Sequence, residues 1–454
     1  MSLTRAIAAR DDASTIARLA VPLLINNLSL GGMLSADTIM AGRLGAGQLA
    51  AVAVGSNIAG VFHFFVLGML MALSPLVAHA YGAGRDGDIG AYVRQGLWLA
   101  AGVGLVIVVV LRIAAEPLLL LIGIPPDTAE LAGRYVRALS LGMPALCCFY
   151  ALRFGSEGIG WTRPFMYTAI VGLVVNILLN YVLMYGKLGL PALGAVGTGY
   201  ATAITWWLLF AILWCYVKRH RVYRPYAPLG RRDPPQPARL REIIALGSPI
   251  AGSLVLEGGM FNAAALLLAT FGATTMAAHA IAINYAALMF MIPLSLNSAT
   301  TIHVGHQLGR GDRDAGARAA WTGVGMGVAV MVVSALVMIV TRSEIAGLYT
   351  RDSDVLLLAA NLLLFAAVFQ VADGVQVCTA GALRGFKDTR VPMVYNLVAY
   401  WGIGFPLAWY LGLVRGWAAQ GVWLGLIAGL FVAALLLSLR LRRVARGAAT
   451  AAVH

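Results

Sequence analysis

Long apolar runs broken by short polar or glycine-rich punctuation dominate the chain. No charged residue lies between Arg43 and Arg85, and Glu257 alone interrupts the stretch from Glu242 to Arg310. A helix needs roughly 20 apolar residues to cross the hydrocarbon of a bilayer, so each run predicts one long spanning helix or parts of two. Apolar length read against Gly, Pro and charge predicts spans near 15–40, 48–81, 91–113, 130–154, 163–185 and 193–217. Six more fall near 239–268, 275–308, 316–340, 356–383, 391–413 and 419–439.

Composition fits this reading. The 454 residues are 60% hydrophobic and 11% charged, where a soluble domain carries about 25% charge. Of the 33 Lys and Arg residues, 25 fall in the N-terminus, the even-numbered loops and the C-terminus, and 8 on the other side. That bias predicts cytoplasmic termini and a multi-pass protein of the inner membrane. It also accounts for the net charge of +14 without a nucleic-acid partner. The first 20 residues hold Asp11, Asp12 and three arginines, a poor match to a cleavable signal peptide. Cys147, Cys148, Cys215 and Cys378 lack metal-ligand spacing and read as small core residues.

The longest polar stretch runs from Lys218 to Arg241 and contains Pro225, Pro228, Pro234, Pro235 and Pro237. It reads as a cytoplasmic linker over 218–238, between an N-lobe (1–217, spans 1–6) and a C-lobe (239–454, spans 7–12 and a basic tail). The halves match at a constant offset of 227 residues. Gly31-Gly32-Met33 corresponds to Gly258-Gly259-Met260, and Gly45 to Gly272. Val77, His79, Gly82 and Gly84 correspond to Val304, His306, Gly309 and Gly311, and Gly158, Thr162, Arg163 and Met166 to Gly385, Thr389, Arg390 and Met393. Six spans per half return the chain to the same side, so the repeats are parallel. The expected fold is an all-α membrane protein of twelve transmembrane helices, in two six-helix lobes related by a pseudo-two-fold axis along the membrane normal.

Most of the 19 acidic residues lie in loops or near span ends. Asp37, Glu257 and Asp373 lie well inside spans one, seven and ten. A carboxylate at bilayer depth costs about 2.5–3.5 kcal/mol on insertion scales, and no Lys or Arg lies deep enough in the spans to neutralise all three. A cation from solution is the natural counter-charge. Asn176 and Asn180 share a face of span five at i,i+4 spacing, and Thr202 on span six can join them beside Asp37 as oxygen ligands for a cation or proton. Glu257, Asn284, Tyr285 and Asp373 form a candidate second cluster, with Glu257 and Asp373 as the candidate Na⁺ ligands. Met260, Phe261, Phe290, Met291 and Trp401 offer adaptable apolar surface for flat ligands; of these, Met260 and Phe261, with Asn284 and Tyr285, are the candidate substrate contacts. An embedded enzyme would need a nucleophile, metal cluster or acid–base pair. No catalytic residues are expected: His303 and His306 stand three apart with no carboxylate partner in view.

Several motifs carry a family likeness. Ser35-Ala-Asp37-Thr-Ile-Met-Ala-Gly42, the run from Thr301 to Gly311, the run from Ala380 to Asp388, and Tyr400-Trp401 followed by Gly404-Phe405-Pro406 resemble the multidrug and toxic compound extrusion (MATE) family, in its NorM-like branch. The similarity spans about residues 15–440. It implies a V-shaped pair of six-helix lobes and cation-coupled export of lipophilic, often cationic drugs. By resemblance, Asp37 is the N-lobe protonation and cation site, within a polar cluster of Asn176, Asn180 and Thr202, and Glu257 and Asp373 are the C-lobe coupling acids. The chain departs from the pattern at Asn180, where some relatives carry Asp, which leaves the N-lobe site one carboxylate short. The implied partners are small-molecule drugs and membrane lipid. A monomer is expected, with Na⁺ or H⁺ as coupling ion and no other cofactor. The alternatives are a flippase for a lipid-linked precursor, whose anionic cargo would want a basic cleft, and a membrane-embedded enzyme.

Overall fold

The computed structural model describes residues 3–230 and 233–450, the side chains of 3–6 and 448–450 excepted. The side chain of Arg5, and Arg231 and Arg232 of the linker, therefore lie outside the described residues. The chain forms α1 (Leu3–Arg43), α2 (Ala46–Gly82), α3 (Asp86–Leu121), the two-part α4 (Pro126–Ser140 and Met143–Gly158), α5 (Arg163–Tyr185) and α6 (Ala195–Arg219). There follow α7 (Pro237–Ala269), α8 (Ala273–Gly309), α9 (Arg313–Val340), α10 (Ser353–Gly385), α11 (Arg390–Val414) and α12 (Ala418–Thr450). A short helix, Arg342–Tyr349, precedes α10.

Eleven helices among the described residues are long and apolar enough to span a membrane, and the bent α4 makes twelve. Its segments meet at 46°. Pro144 opens the second segment and lacks the N–H that would bond back along the helix. At the bend, a Cβ on Gly142 would stand 2.6 Å from Ala203 Cα on α6, so only glycine allows this approach. α11 is irregular in another way: Val398–Gly404 and Tyr410–Val414 are π-helical, a form common at functional positions.

The repeat is visible in the turns. Gly84 and Gly311 have φ of 68° and 83°. Each closes the same C-terminal motif: Gly84 N–H donates to Tyr81 and Arg85 N–H to Ala80, and Gly311 N–H to Leu308 and Asp312 N–H to Gln307. This is the Schellman pattern, which needs a left-handed residue. The same motif recurs at Gly160 and, with φ of 60°, at its repeat counterpart Lys387.

The helices sort into two compact units. One runs from Ile25 to Ala251. In it α6 packs against both parts of α4 and against α5, and the second part of α4 packs on α3. The other holds the residues up to Leu24 and those from Gly252 onward. Here α8, α9 and α12 surround α10, over a core that includes Met260, Phe369, Tyr400 and Trp423. Contacts thus divide the chain inside α1 and α7, not in the linker. The first turns of α1 pack with the C-terminal unit: His303 Nε2 and Arg318 Nε each donate to Asp12 over 2.8 Å. The carboxylate partner that sequence did not supply for His303 is Asp12, 291 residues away. The start of α7 packs with the other unit, where a Cβ on Gly247 would stand 2.2 Å from the Met69 carbonyl oxygen. The linker is strapped down. Arg94 pairs with Asp233 at 2.5 Å, Gln95 bonds both Pro234 O and Gln236 N, and Trp98 donates to Asp233 O.

Candidate functional site

In the Ile25–Ala251 unit, α1, α5 and α6 bring four side chains into a closed ring. Thr202 Oγ1 donates to Asp37 Oδ2 (3.0 Å), Asn176 Nδ2 to Thr202 Oγ1 (3.2 Å), and Asn180 Nδ2 to both Asn176 Oδ1 (3.2 Å) and Asp37 Oδ1 (2.5 Å). The i,i+4 spacing on α5 stacks the two amides on one face. Asn176 and Asn180 are fully buried and Asp37 is 3% exposed. Each carboxylate oxygen is met by a neutral donor. Asn180 Oδ1 has no partner among the described residues, so one buried acceptor in the ring wall stays open. Tyr135 on α4 feels the Asp37 charge, and its hydroxyl bonds Ser56 on α2 at 3.0 Å. The sequence reading missed Tyr135, which stands between Arg134 and Arg137, and Ser56, beside Asn57; neither belongs to a motif.

The other unit assembles Glu257 on α7, Asp373 on α10 and Tyr400 in the first π-helical stretch of α11. The two acids interact electrostatically, and both act on Tyr400. The Tyr400 hydroxyl is buried and has no hydrogen-bond partner among the described residues. Trp401 Nε1 donates to Leu256 O at 3.1 Å, which pins α11 beside the turn that carries Glu257. Sequence gave no deep cation near these acids; in the structure the buried Arg384 acts on Glu257 and donates to Asn297 Oδ1 at 3.1 Å. Among the described residues no three His, Cys, Asp or Glu side chains cluster as a metal site.

Of the candidate substrate contacts, Met260, Phe261 and Tyr285 meet at one apolar core and Asn284 stands apart. Asn284 is exposed and accepts from the Tyr349 hydroxyl at 3.2 Å. Tyr285 is partly buried against the core, Met260 is fully buried within it, and Phe261 packs edge-on against Phe369 at 5.8 Å. A further buried pair escaped the sequence reading. Arg153 Nε donates to Glu157 Oε1 at 2.7 Å, Arg153 also bonds Asn27, and its guanidinium lies 5.3–6.0 Å from the rings of Tyr150, Phe154 and Phe165. The i,i+4 Arg–Glu spacing was its signal.

A family model described as MatE matches residues 22–182 and again residues 249–410. The two matches begin one repeat offset apart. The chain belongs to the MatE family. It is 42% identical over 432 residues to the probable multidrug resistance protein NorM of Xanthomonas campestris pv. campestris, covering 95% of this chain and 94% of that one. It is 39% identical over 453 residues to the multidrug resistance protein PmpM of Pseudomonas aeruginosa, covering 98% and 94%. Among solved structures, the eukaryotic MATE transporter AtDTX14 superposes with a TM-score of 0.87 at 20% identity, covering 97% of this chain and 99% of that one. A multidrug resistance MATE transporter described as outward-facing gives 0.89 at 20% identity, with 97% of each chain covered. These likenesses establish the MATE fold and a NorM-like member of the family, a transporter and not an enzyme.

In this MATE chain the repeat copies the scaffold and not the polar clusters. At the 227-residue offset, Asp37, Asn176, Asn180 and Thr202 correspond to Ala264, Ile403, Leu407 and Gly429. Glu257, Asp373 and Tyr400 correspond to Leu30, Leu146 and Leu173. Each unit therefore carries a cluster the other lacks.

Proposed function

We propose that the chain is an inner-membrane multidrug exporter that moves lipophilic, often cationic compounds outward in exchange for Na⁺ or H⁺, by alternating access. The observation that carries this reading is the Asp37 ring. A carboxylate at 3% exposure is held only by neutral donors, so its charge awaits a mobile cation or proton. A buried charge without a fixed counter-ion is costly, and intramembrane acids of this kind mark ion and substrate paths. Glu257 and Asp373 supply a second negative centre, with the Tyr400 hydroxyl as an oxygen ligand for Na⁺ or a donor to a carboxylate. The multidrug resistance names of the relatives support drugs as cargo. The charge bias supports cytoplasmic termini, and a monomer in lipid completes the reading. An anionic lipid-linked precursor fits less well, because the buried Arg153 pairs with Glu157 and the buried Arg384 acts on Glu257.

The test is ethidium transport in proteoliposomes, with a Na⁺ gradient and a pH gradient imposed separately on wild type and on Glu257→Gln. Wild-type transport under at least one gradient, lost in the variant, is the expected result and identifies the coupling ion. No ethidium movement under either gradient overturns drug export. Full transport by the variant removes Glu257 from coupling.

A further inference from the structure

The unit boundaries fall at repeat-equivalent positions. α1 passes from one unit to the other after Leu24 and α7 after Ala251, and these residues are 227 apart. Each unit therefore contains the first turns of a helix whose remainder belongs to the other. Both exchanged starts are held by ion pairs. Asp12 on α1 accepts from Arg318 on α9 and from His303 on α8, each at 2.8 Å. Arg239 on α7 donates to Asp88 on α3 at 2.7 Å. Asp12 and Arg239 are themselves repeat counterparts, and α9 and α3 are counterpart helices. The counterpart of Arg318 is Ala91, one turn from Asp88 on α3. The same position is thus acidic in one copy and basic in the other, and the helix that receives it carries the complementary charge each time.

We propose that this reversed polarity is an address: it directs the start of α1 onto α8 and α9, and the start of α7 onto α3, and penalises the opposite assignment. Without it, two duplicated helix starts with similar apolar faces would find two similar docking surfaces. Delivered to α3, Asp12 would meet Asp88; delivered to α9, Arg239 would meet Arg318. Specificity of this kind needs a repulsive element as well as an attractive one. Surrounding contacts reinforce each docking. Asp88 lies in the first turn of α3, where the helix dipole favours an acid. The Arg239 guanidinium stacks 5.0 Å from the Tyr92 ring, whose hydroxyl donates to Glu242 at 2.6 Å.

The experiment compares neutralisation with reversal in the full chain. Asp12→Asn and Arg239→Gln remove attraction alone. Asp12→Arg and Arg239→Asp also match the charge of the wrong surface. The readouts are the thermal midpoint in detergent and the monodisperse fraction on purification. Neutralisation is expected to lower the midpoint by about 2–4 °C. Reversal should cost clearly more and divert material into aggregate. Arg239→Asp combined with Asp88→Arg should recover most of the loss, and Asp12→Arg with Arg239→Asp, which inverts both addresses at once, should be the worst variant. If Asp12→Arg yields no soluble protein, the Arg239 and Asp88 set decides alone. Equal losses on neutralisation and reversal, or no recovery in the Arg239→Asp/Asp88→Arg double variant, would overturn the address and leave two local ion pairs.

Discussion

Thr202→Val tests whether the N-terminal ring is organised around the Asp37 charge. Valine keeps the branched shape and removes only the hydroxyl. That group donates to Asp37 Oδ2 at 3.0 Å and accepts from Asn176 Nδ2 at 3.2 Å. Its loss strips one carboxylate oxygen of its donor and leaves a fully buried amide N–H unmet. A hydrogen bond to a charged group is worth about 1.5–3 kcal/mol, and one between neutral groups about 0.5–1.5 kcal/mol. Made in an Asp37→Asn background, the same substitution should therefore cost less, with a coupling of about 1–2 kcal/mol between the two sites. The assay is a double-mutant cycle: thermal unfolding in detergent for all four proteins, with ethidium efflux measured in parallel. Efflux should fall in Thr202→Val, and Thr202→Val should lower it no further once Asp37→Asn is present. Additivity within about 0.5 kcal/mol would refute the reasoning, because the hydroxyl would then serve helix packing and not the carboxylate.

Two substitutions probe other features. Gly247→Val places a side chain 2.2 Å from the Met69 carbonyl oxygen and should cost about 1–3 kcal/mol by overpacking. Gly60→Val, with open space around its Cβ, is the control, and equal thermal midpoints for the two would dismiss the close α2–α7 contact. Tyr400→Phe removes a buried hydroxyl that has no partner among the described residues. Stability should hold or rise while ion-driven transport falls, and a variant that loses stability but keeps coupled transport would show the hydroxyl to be structural.

Much of this architecture is legible in sequence because membrane helices advertise themselves. Charge-free runs give the spans, glycines at a fixed offset give the repeat, and the left-handed turns at Gly84 and Gly311 explain why those glycines recur. Asp37, Asn176, Asn180 and Thr202 could be grouped because a deep acid demands partners and two amides shared one helix face. The structure closes them into one ring. Only polarity groups Asn284 with Glu257 in the sequence, and in the structure it accepts from Tyr349. Arg153 escaped because hydropathy places it at a span end, while packing encloses it between three rings. Tyr400 carries no local mark of its π-helical setting. The exchange of helix starts was illegible for another reason. It rests on pairs such as Asp12 with His303 and Arg239 with Asp88, where each member looks like an ordinary end-of-span charge and only the fold joins them.

That exchange also sets an order in time. Asp12 leaves the ribosome 306 residues before Arg318. At about 5–20 residues per second, the first helix waits some 15 to 60 s for the surface that receives its beginning. Over that interval a buried aspartate-to-be stands in water or at the lipid headgroups without its partners. The Arg239–Asp88 pair, 151 residues apart, closes sooner. The start of α1 is made well before the surface that receives it, so a block late in synthesis would strand it while the Ile25–Ala251 unit was already whole.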